Sequence, residues 1–178
     1  MSQSTVRLGS QRALGRNLLL AAAMVVSAGA LMSLASPGRA QPAPPAQPDT
    51  GATIWGKGGC FNCHGNLAAG DGDPSYPQGP NLRQTRLTRD QLIETISCGR
   101  PGTPMPFNLA GAYTQTACYA MPLGPPPEVS RGASFSAEQI QVLVDFLVQN
   151  VVGKSNITRE NCAVFFNGNA NAPLCRQF

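Results

Sequence analysis

Apolar residues recur at helical spacing most clearly near the end of the chain. Ser136 is followed three residues later by Gln139, the spacing at which two side chains cap the start of a helix reciprocally. Beyond this pair, apolar residues fall on one helical face at Ile140, Leu143, Val144, Leu147 and Val151. The pattern predicts an amphipathic helix over residues 136–151 that buries its apolar face.

Two further helices are predicted earlier in the chain. Thr88 and Gln91 repeat the capping arrangement, and Gly99 is the residue type that most often ends a helix. We therefore expect a helix over Thr88–Cys98. A helix is also expected near Gly51–Asn62, although its glycines give it weak helical propensity.

A fourth predicted helix is short: Thr158 caps it, Gly168 ends it, and Phe165 and Phe166 form its buried face. No segment alternates polar and apolar residues for long, as strands do, so the expected fold class is all-α. The remaining chain forms two long loops rich in Gly and Pro, at 65–87 and 99–135. Because so much irregular chain buries little apolar surface, we expect a cofactor or disulfides to complete the core.

The first forty residues have the features of a secretory signal peptide. Several arginines and no acid precede an uncharged run from Leu18 to Ala35, and small residues lead to Ala40. We expect removal of residues 1–40, with cleavage after Ala35 or an uncleaved membrane anchor as alternatives, since the run is just long enough to span a bilayer. In each case the folded part is exported, and the expected localisation is the periplasm.

The net charge of +4 belongs to this leader. Only 12% of all residues are charged, and from Gln41 onward nine basic residues balance nine acidic ones. A neutral mature chain lacks the basic surface that nucleic acid requires, which excludes that partner. Arg83, Arg86 and Arg89 are expected on a solvated face. Residues 41–50 are rich in proline and predict an extended, unpacked linker.

The candidate chemistry lies at Cys60, Cys63 and His64, which form a Cys-x-x-Cys-His motif. On a helix these side chains share one face, so two thiols can bond the vinyl groups of a haem while the imidazole reaches its iron. A thioredoxin-like dithiol would need a βαβ context, and a zinc site would need further ligands, whereas His64 is the single histidine of the chain. The motif therefore predicts one covalently attached haem c.

A second axial ligand from this chain would have to be methionine, because there is no other histidine. Beyond the leader only Met105 and Met121 remain, each followed by proline. Pro104 and Pro106 stiffen the backbone on both sides of Met105, but spacing alone leaves both methionines open as ligands. Two protein ligands suit electron transfer and argue against a gas sensor or a peroxidase-like enzyme, which need an open site on the iron.

In this order, the motifs resemble those of the small monohaem class I c-type cytochromes of bacteria, over roughly residues 51–152. The segment Cys60–Gly65 matches the haem-binding motif of that family, and Gly99–Pro106 is similar to its Met-ligand loop. The resemblance implies a cytochrome c-like helical domain in which Met105, rather than Met121, is the axial ligand.

The resemblance also implies roles for residues outside these two motifs. Pro80 and Leu82 lie in a Gly-Pro-Asn-Leu segment like the one that packs beside the family's proximal histidine. The Pro80 carbonyl would accept the Nδ1 proton of His64, and Leu82 would touch the haem face. The last helix of the domain, with Phe146, would cross the first helix near Gly56.

Two segments depart from the family's pattern: an insertion over about residues 109–134 and a C-terminal extension over 153–178. With Cys60 and Cys63 on haem, an even number of cysteines is left for an oxidising compartment. They are Cys98, Cys118, Cys162 and Cys175. Three pairings are open, and the local one, Cys98–Cys118 with Cys162–Cys175, would staple each added segment.

The expected function is electron transfer by one haem c that cycles between Fe(II) and Fe(III), with other periplasmic redox proteins as donor and acceptor. No residue is expected to be catalytic. The alternative is a fixed haem c subunit of a periplasmic dehydrogenase or oxidase complex, docked through the insertion and the extension. The neutral charge favours this alternative, because it gives little long-range steering. Membrane contact is expected only if the leader stays uncleaved.

Overall fold

The structure is a computed structural model that describes residues 49–178. The predicted signal peptide and residues 41–48 of the predicted linker lie outside the described residues. No helix within the described part is both long and apolar enough to cross a bilayer. The last two linker residues bond to the helices: the Asp49 carboxylate accepts from Lys57 and Gln139, and Thr50 caps the first helix.

The Gly-rich segment expected as one helix forms two. Helix α1 spans Gly51–Lys57 and helix α2 spans Cys60–His64, and between them Gly59 has a φ of 62°. A left-handed residue cannot continue a right-handed helix, and glycine is the residue that adopts this conformation without a steric penalty. The second helix therefore begins at Cys60 itself and contains the whole Cys-x-x-Cys-His motif.

The three helices predicted from caps form where those caps lie. Helix α3 spans Arg89–Cys98, α4 spans Ala137–Asn150 and α5 spans Arg159–Ala163. Each follows a reciprocal capping box at its predicted first residue, Thr88, Ser136 or Thr158. Short 3₁₀ helices lie at Leu82–Gln84, Val164–Phe166 and Pro173–Gln177.

Helices α1 and α3 both pack against α4, whose apolar face forms the centre of the core. The positions predicted for that face are all buried: Ile140, Leu143, Val144, Leu147 and Val151. Helix α1 meets α4 at Gly51, where a Cβ atom would lie 2.0 Å from the Cβ of Phe146. The crossing predicted near Gly56 is wrong, since nothing lies within 4 Å of the Cβ position there.

The described chain is mostly helical, but the all-α prediction missed a small parallel sheet. Strand β1 spans Phe107–Leu109 and β2 spans Arg131–Phe135, with Phe107 paired to Arg131. Strands this short show no alternation that a sequence pattern could reveal. The pairing closes the insertion, because residues 110–130 leave and rejoin the domain at the same place.

Two disulfides join the cysteines outside the Cys-x-x-Cys-His motif. Cys98 bonds to Cys118 and Cys162 bonds to Cys175, so the local pairing is the one that forms. The first disulfide ties the insertion to the end of α3, and the second closes the C-terminal extension. The prediction of disulfide bonds in the added segments is confirmed.

The extension packs against the side of the domain that carries α1. Phe165 lies edge-on to Trp55, with ring centroids 5.8 Å apart, and edge-on to Phe146 at 5.0 Å. Phe165 and Phe166, expected as the buried face of the short helix, are half-buried and pack against buried clusters. The disulfide of the extension shares a buried cluster with Leu67, which follows the Cys-x-x-Cys-His motif closely in the chain.

Arg83 is buried, contrary to the solvated position expected for it, with 2% of its surface exposed. Its Nε donates to the Leu67 carbonyl at 2.7 Å, and its Nη1 donates to the Lys154 carbonyl at 2.9 Å. Burial lowers the pKa of the guanidinium, and the charge of Asp71 partly opposes that effect. Arg83 therefore links the loop after α2 to the extension. The other two arginines of that prediction are exposed.

Candidate functional site

A cavity of about 770 Å³ lies between α2, α3, α4 and the two long loops. Apolar side chains from two helices form much of its wall: Leu92 and Ile96 of α3, and Leu143 and Leu147 of α4. A concave, largely apolar site of this volume is typical of binding sites for cofactors and other small molecules. The face of α4 that the sequence predicted as core therefore also lines a cavity.

Cys60, Cys63 and His64 all line this cavity from the short helix α2. Both cysteines are half-buried free thiols, and His64 is 9% exposed. Burial raises the pKa of the Cys60 thiol to about 12. This direction is opposite to the lowered pKa that is typical of reactive redox cysteines.

The ring of His64 is held by the backbone of the following loop. Its Nδ1 lies 2.9 Å from the carbonyl oxygen of Pro80, the contact implied by the resemblance. A carbonyl only accepts, so Nδ1 donates its proton and Nε2 of the neutral ring keeps a free lone pair. Burial lowers the pKa of His64, although the bond to the Pro80 carbonyl opposes that effect, and the neutral form is favoured. This tautomer is the one in which Nε2 can bind a metal.

Gly79 allows the loop to approach the motif closely enough for this hydrogen bond. Its backbone N–H donates to the Cys63 carbonyl at 2.8 Å. A Cβ atom at this position would lie 2.7 Å from Nδ1 of His64, closer than real Cβ contacts. Glycine is therefore favoured here, because any side chain would press against the imidazole.

Met105 and Leu82 line the same cavity, and both are half-buried. Met121 is not among the described residues that line it, and instead packs against the buried cluster that contains the Cys98–Cys118 disulfide. The folded chain thus brings five dispersed groups to one cavity: the two thiols, the imidazole of His64, the thioether of Met105 and the side chain of Leu82.

Asn108 is a cavity residue that sequence reasoning missed. Its buried side chain donates to the Pro106 carbonyl at 3.2 Å and the Ile96 carbonyl at 3.3 Å, and accepts from the Ala133 N–H at 3.0 Å. It therefore joins the Met105 loop to α3 and to β2. A single asparagine in a Pro-rich loop carries no pattern that could have identified it.

Charged side chains are scarce around the cavity. Among the described residues that line it, Arg100 is the single Lys, Arg, Asp or Glu. Within residues 49–178 no three or more His, Cys, Asp or Glu side chains are grouped so that they could hold a metal ion.

Comparison with known proteins leaves the site to be interpreted from its own residues. No family model, curated protein or solved structure matches this chain. The groups on which an interpretation rests are two unpaired thiols, a neutral imidazole of defined tautomer and a thioether, all at one apolar cavity.

Proposed function

We propose that the chain is an exported electron-transfer protein that carries one haem c, attached through Cys60 and Cys63 and ligated by His64 and Met105. The observation that carries the proposal is the convergence of these side chains on one cavity, with the His64 ring already fixed by Pro80. The mature protein would pass electrons between periplasmic redox partners through small, transient interfaces.

The donor set and the cavity fit such a group. Two thiols spaced i and i+3 on a helix suit thioether bonds to the vinyl groups, and the next residue supplies a nitrogen ligand. A thioether is the ligand that raises the potential in electron-transfer haems. The apolar walls from α3 and α4 suit a flat, mainly hydrophobic group.

Bound haem supplies an iron that exchanges one electron. The chain's own residues keep both ligands in place and exclude water. The Pro80 carbonyl fixes the tautomer of His64 and strengthens Nε2 as a donor. Leu82, Leu92, Ile96, Leu143 and Leu147 keep the cavity apolar. In this proposal no side chain acts as an acid, a base or a nucleophile, so the protein by itself is not an enzyme.

The proposal extends to the fold, a class I cytochrome c with two additions. Its support is the crossing of the first and last domain helices at Gly51 and Phe146, beside the motif helix. The insertion and the extension, each closed by a disulfide, are then additions to that domain.

Substitution of the two methionines tests the ligand assignment. The protein is produced in an export host that attaches haem c, and intact mass first establishes whether one haem is covalently bound. Ferric Met105→Ala should lose the weak far-red absorption band of sulfur-ligated haem and bind carbon monoxide rapidly when reduced. Met121→Ala is the matched control and should keep the band. A mass without haem, or a band that survives in Met105→Ala, refutes the proposal.

The second candidate is a fixed haem c subunit of a periplasmic oxidoreductase complex. The scarcity of charge around the cavity favours it, because Arg100 alone offers little long-range steering to a diffusing partner. Salt tests this charge argument: an electron-transfer rate that falls steeply as ionic strength rises would show a diffusing partner steered by charge and would count against the fixed subunit.

A further inference from the structure

The insertion returns to the point at which the Met105 loop begins. Cys118 of the insertion is fully buried and bonds to Cys98, the last residue of α3. The next residue, Gly99, ends that helix and starts the loop. The carbonyls at the end of a helix lack partners within it and need other donors.

Two tyrosine hydroxyls of the insertion supply those donors. The Tyr113 hydroxyl donates to the Cys98 carbonyl at 2.8 Å, and the Tyr119 hydroxyl donates to the Gly99 carbonyl. Tyr113 is 2% exposed, and burial raises its pKa, so its hydroxyl keeps its proton. The backbone N–H of Tyr119 also donates to the Glu94 carboxylate on α3, at 3.0 Å.

Both tyrosines adopt backbone conformations that bulky residues rarely take. The φ angle is 66° at Tyr113 and 53° at Tyr119, and Ala120 follows at 56°. Such residues persist only where surrounding contacts hold them, and the strain commonly serves a functional geometry. Here the contacts include the Cys98–Cys118 disulfide, the two hydroxyl bonds and the bond from the Tyr119 N–H to Glu94.

The backbone that the tyrosines hold lies directly against Met105. The N–H of Arg100 donates to the Met105 carbonyl at 3.1 Å. A Cβ atom on Gly99 would lie 2.6 Å from the backbone N of Phe107 and 2.8 Å from the Met105 carbonyl oxygen. Movement at Cys98 or Gly99 would therefore shift the residue that presents the thioether.

We propose that Tyr113 and Tyr119 are positioning residues for Met105, which clamp the start of its loop so that the sulfur stays at the cavity. This inference rests on the proposed function, in which Met105 is an axial ligand. It gives the insertion a specific task, to keep the loop from opening and the ligand from leaving.

Imidazole competition on the ferric holoprotein measures how often the loop opens. Imidazole takes the place of the sulfur only when the loop opens, so its apparent affinity reports the opening equilibrium. Tyr113→Phe should bind imidazole about fivefold more tightly, because one buried hydrogen bond is lost. Tyr119→Phe should show a smaller increase, since its ring is partly exposed. Hydrogen exchange at the Arg100 amide should quicken by a similar factor.

Thr158→Ala is the matched control, because it removes a hydroxyl that caps α5 in the extension, away from the clamp. It should lower global stability without changing imidazole affinity. If the wild type shows the far-red band but Tyr113→Phe leaves imidazole affinity unchanged, the positioning role is refuted alone. The positioning role is also refuted if Thr158→Ala raises imidazole affinity as much as Tyr113→Phe does. A wild type without the band refutes the proposed function, and the positioning role with it.

Discussion

Replacement of Gly79 by alanine would insert a methyl group between the loop and the imidazole of His64. The new Cβ would lie 2.7 Å from Nδ1 and 2.9 Å from the Cys63 carbonyl oxygen. Gly79 is not in the left-handed region, so the backbone itself tolerates alanine. The substitution therefore tests the steric contact without adding backbone strain.

The expected loss follows from two terms. Overpacking of a close contact by one methyl group costs about 1–3 kcal/mol. Displacement of the ring also weakens the 2.9 Å bond from Nδ1 of His64 to Pro80, worth about 1 kcal/mol. The free energy of unfolding should fall by about 2–4 kcal/mol. Since domains are stable by about 5–15 kcal/mol, the variant should still fold.

Urea unfolding followed by circular dichroism measures this loss. With a slope of about 2 kcal/mol per molar urea, the midpoint should fall by about 1–2 M. With haem attached, the reduction potential should also rise, because a weaker Nδ1 bond makes the imidazole a poorer donor to Fe(III). Gly56→Ala is the control: its Cβ meets nothing within 4 Å, and alanine in a helix should stabilise the protein by about 0.5–1 kcal/mol.

An unchanged urea midpoint in Gly79→Ala would refute the reasoning, because it would mean that the loop can retreat from His64 without loss. An equal loss in Gly56→Ala would also contradict it, since the effect would then not depend on the contact with the imidazole.

Two further predictions concern the edges of the domain. The hydrogen bond from Lys57, and to a smaller extent the one from Gln139, lowers the pKa of the Asp49 carboxyl below its ordinary value of 3.8. Asp49→Asn should therefore be less stable than the wild type at neutral pH. In thermal unfolding, this difference in stability should vanish as the pH falls below 3.8 and through the lowered pKa of Asp49. A difference that persists in acid would contradict the prediction. Replacement of Cys162 and Cys175 by serine should lower the free energy of unfolding by about 3 kcal/mol in urea, because the disulfide closes a 13-residue loop and so reduces the entropy of the unfolded chain. An unchanged midpoint would show that the extension needs no covalent closure.

The helices that could be predicted are those with local signals. The capping boxes at Thr88, Ser136 and Thr158 and the apolar spacing of α4 involve residues within one or two turns, so they can be read before any tertiary contact is known. The Cys-x-x-Cys-His motif is local in the same sense, because a single short helix places all three side chains on one face.

Features that depend on distant segments could not be predicted in this way. The pairing of β1 with β2, the burial of Arg83 against the extension and the crossing of α1 at Gly51 all join residues far apart in the chain. The break between α1 and α2 at Gly59 is a local feature, unlike these long-range contacts, but it was not predicted either. A glycine there permits a left-handed turn, but propensity alone does not require one.

The residues of the candidate site also fall into those that local patterns predict and those that only the fold brings together. Cys60, Cys63 and His64 followed from spacing, whereas residue patterns alone left both Met105 and Met121 open as ligands. The fold brings Met105 to the cavity wall and packs Met121 against the buried cluster around the Cys98–Cys118 disulfide. Local spacing defines what one helix can present to a cofactor. Which distant loop reaches the cavity depends on long-range packing, and the insertion contacts the end of α3 where the Met105 loop begins.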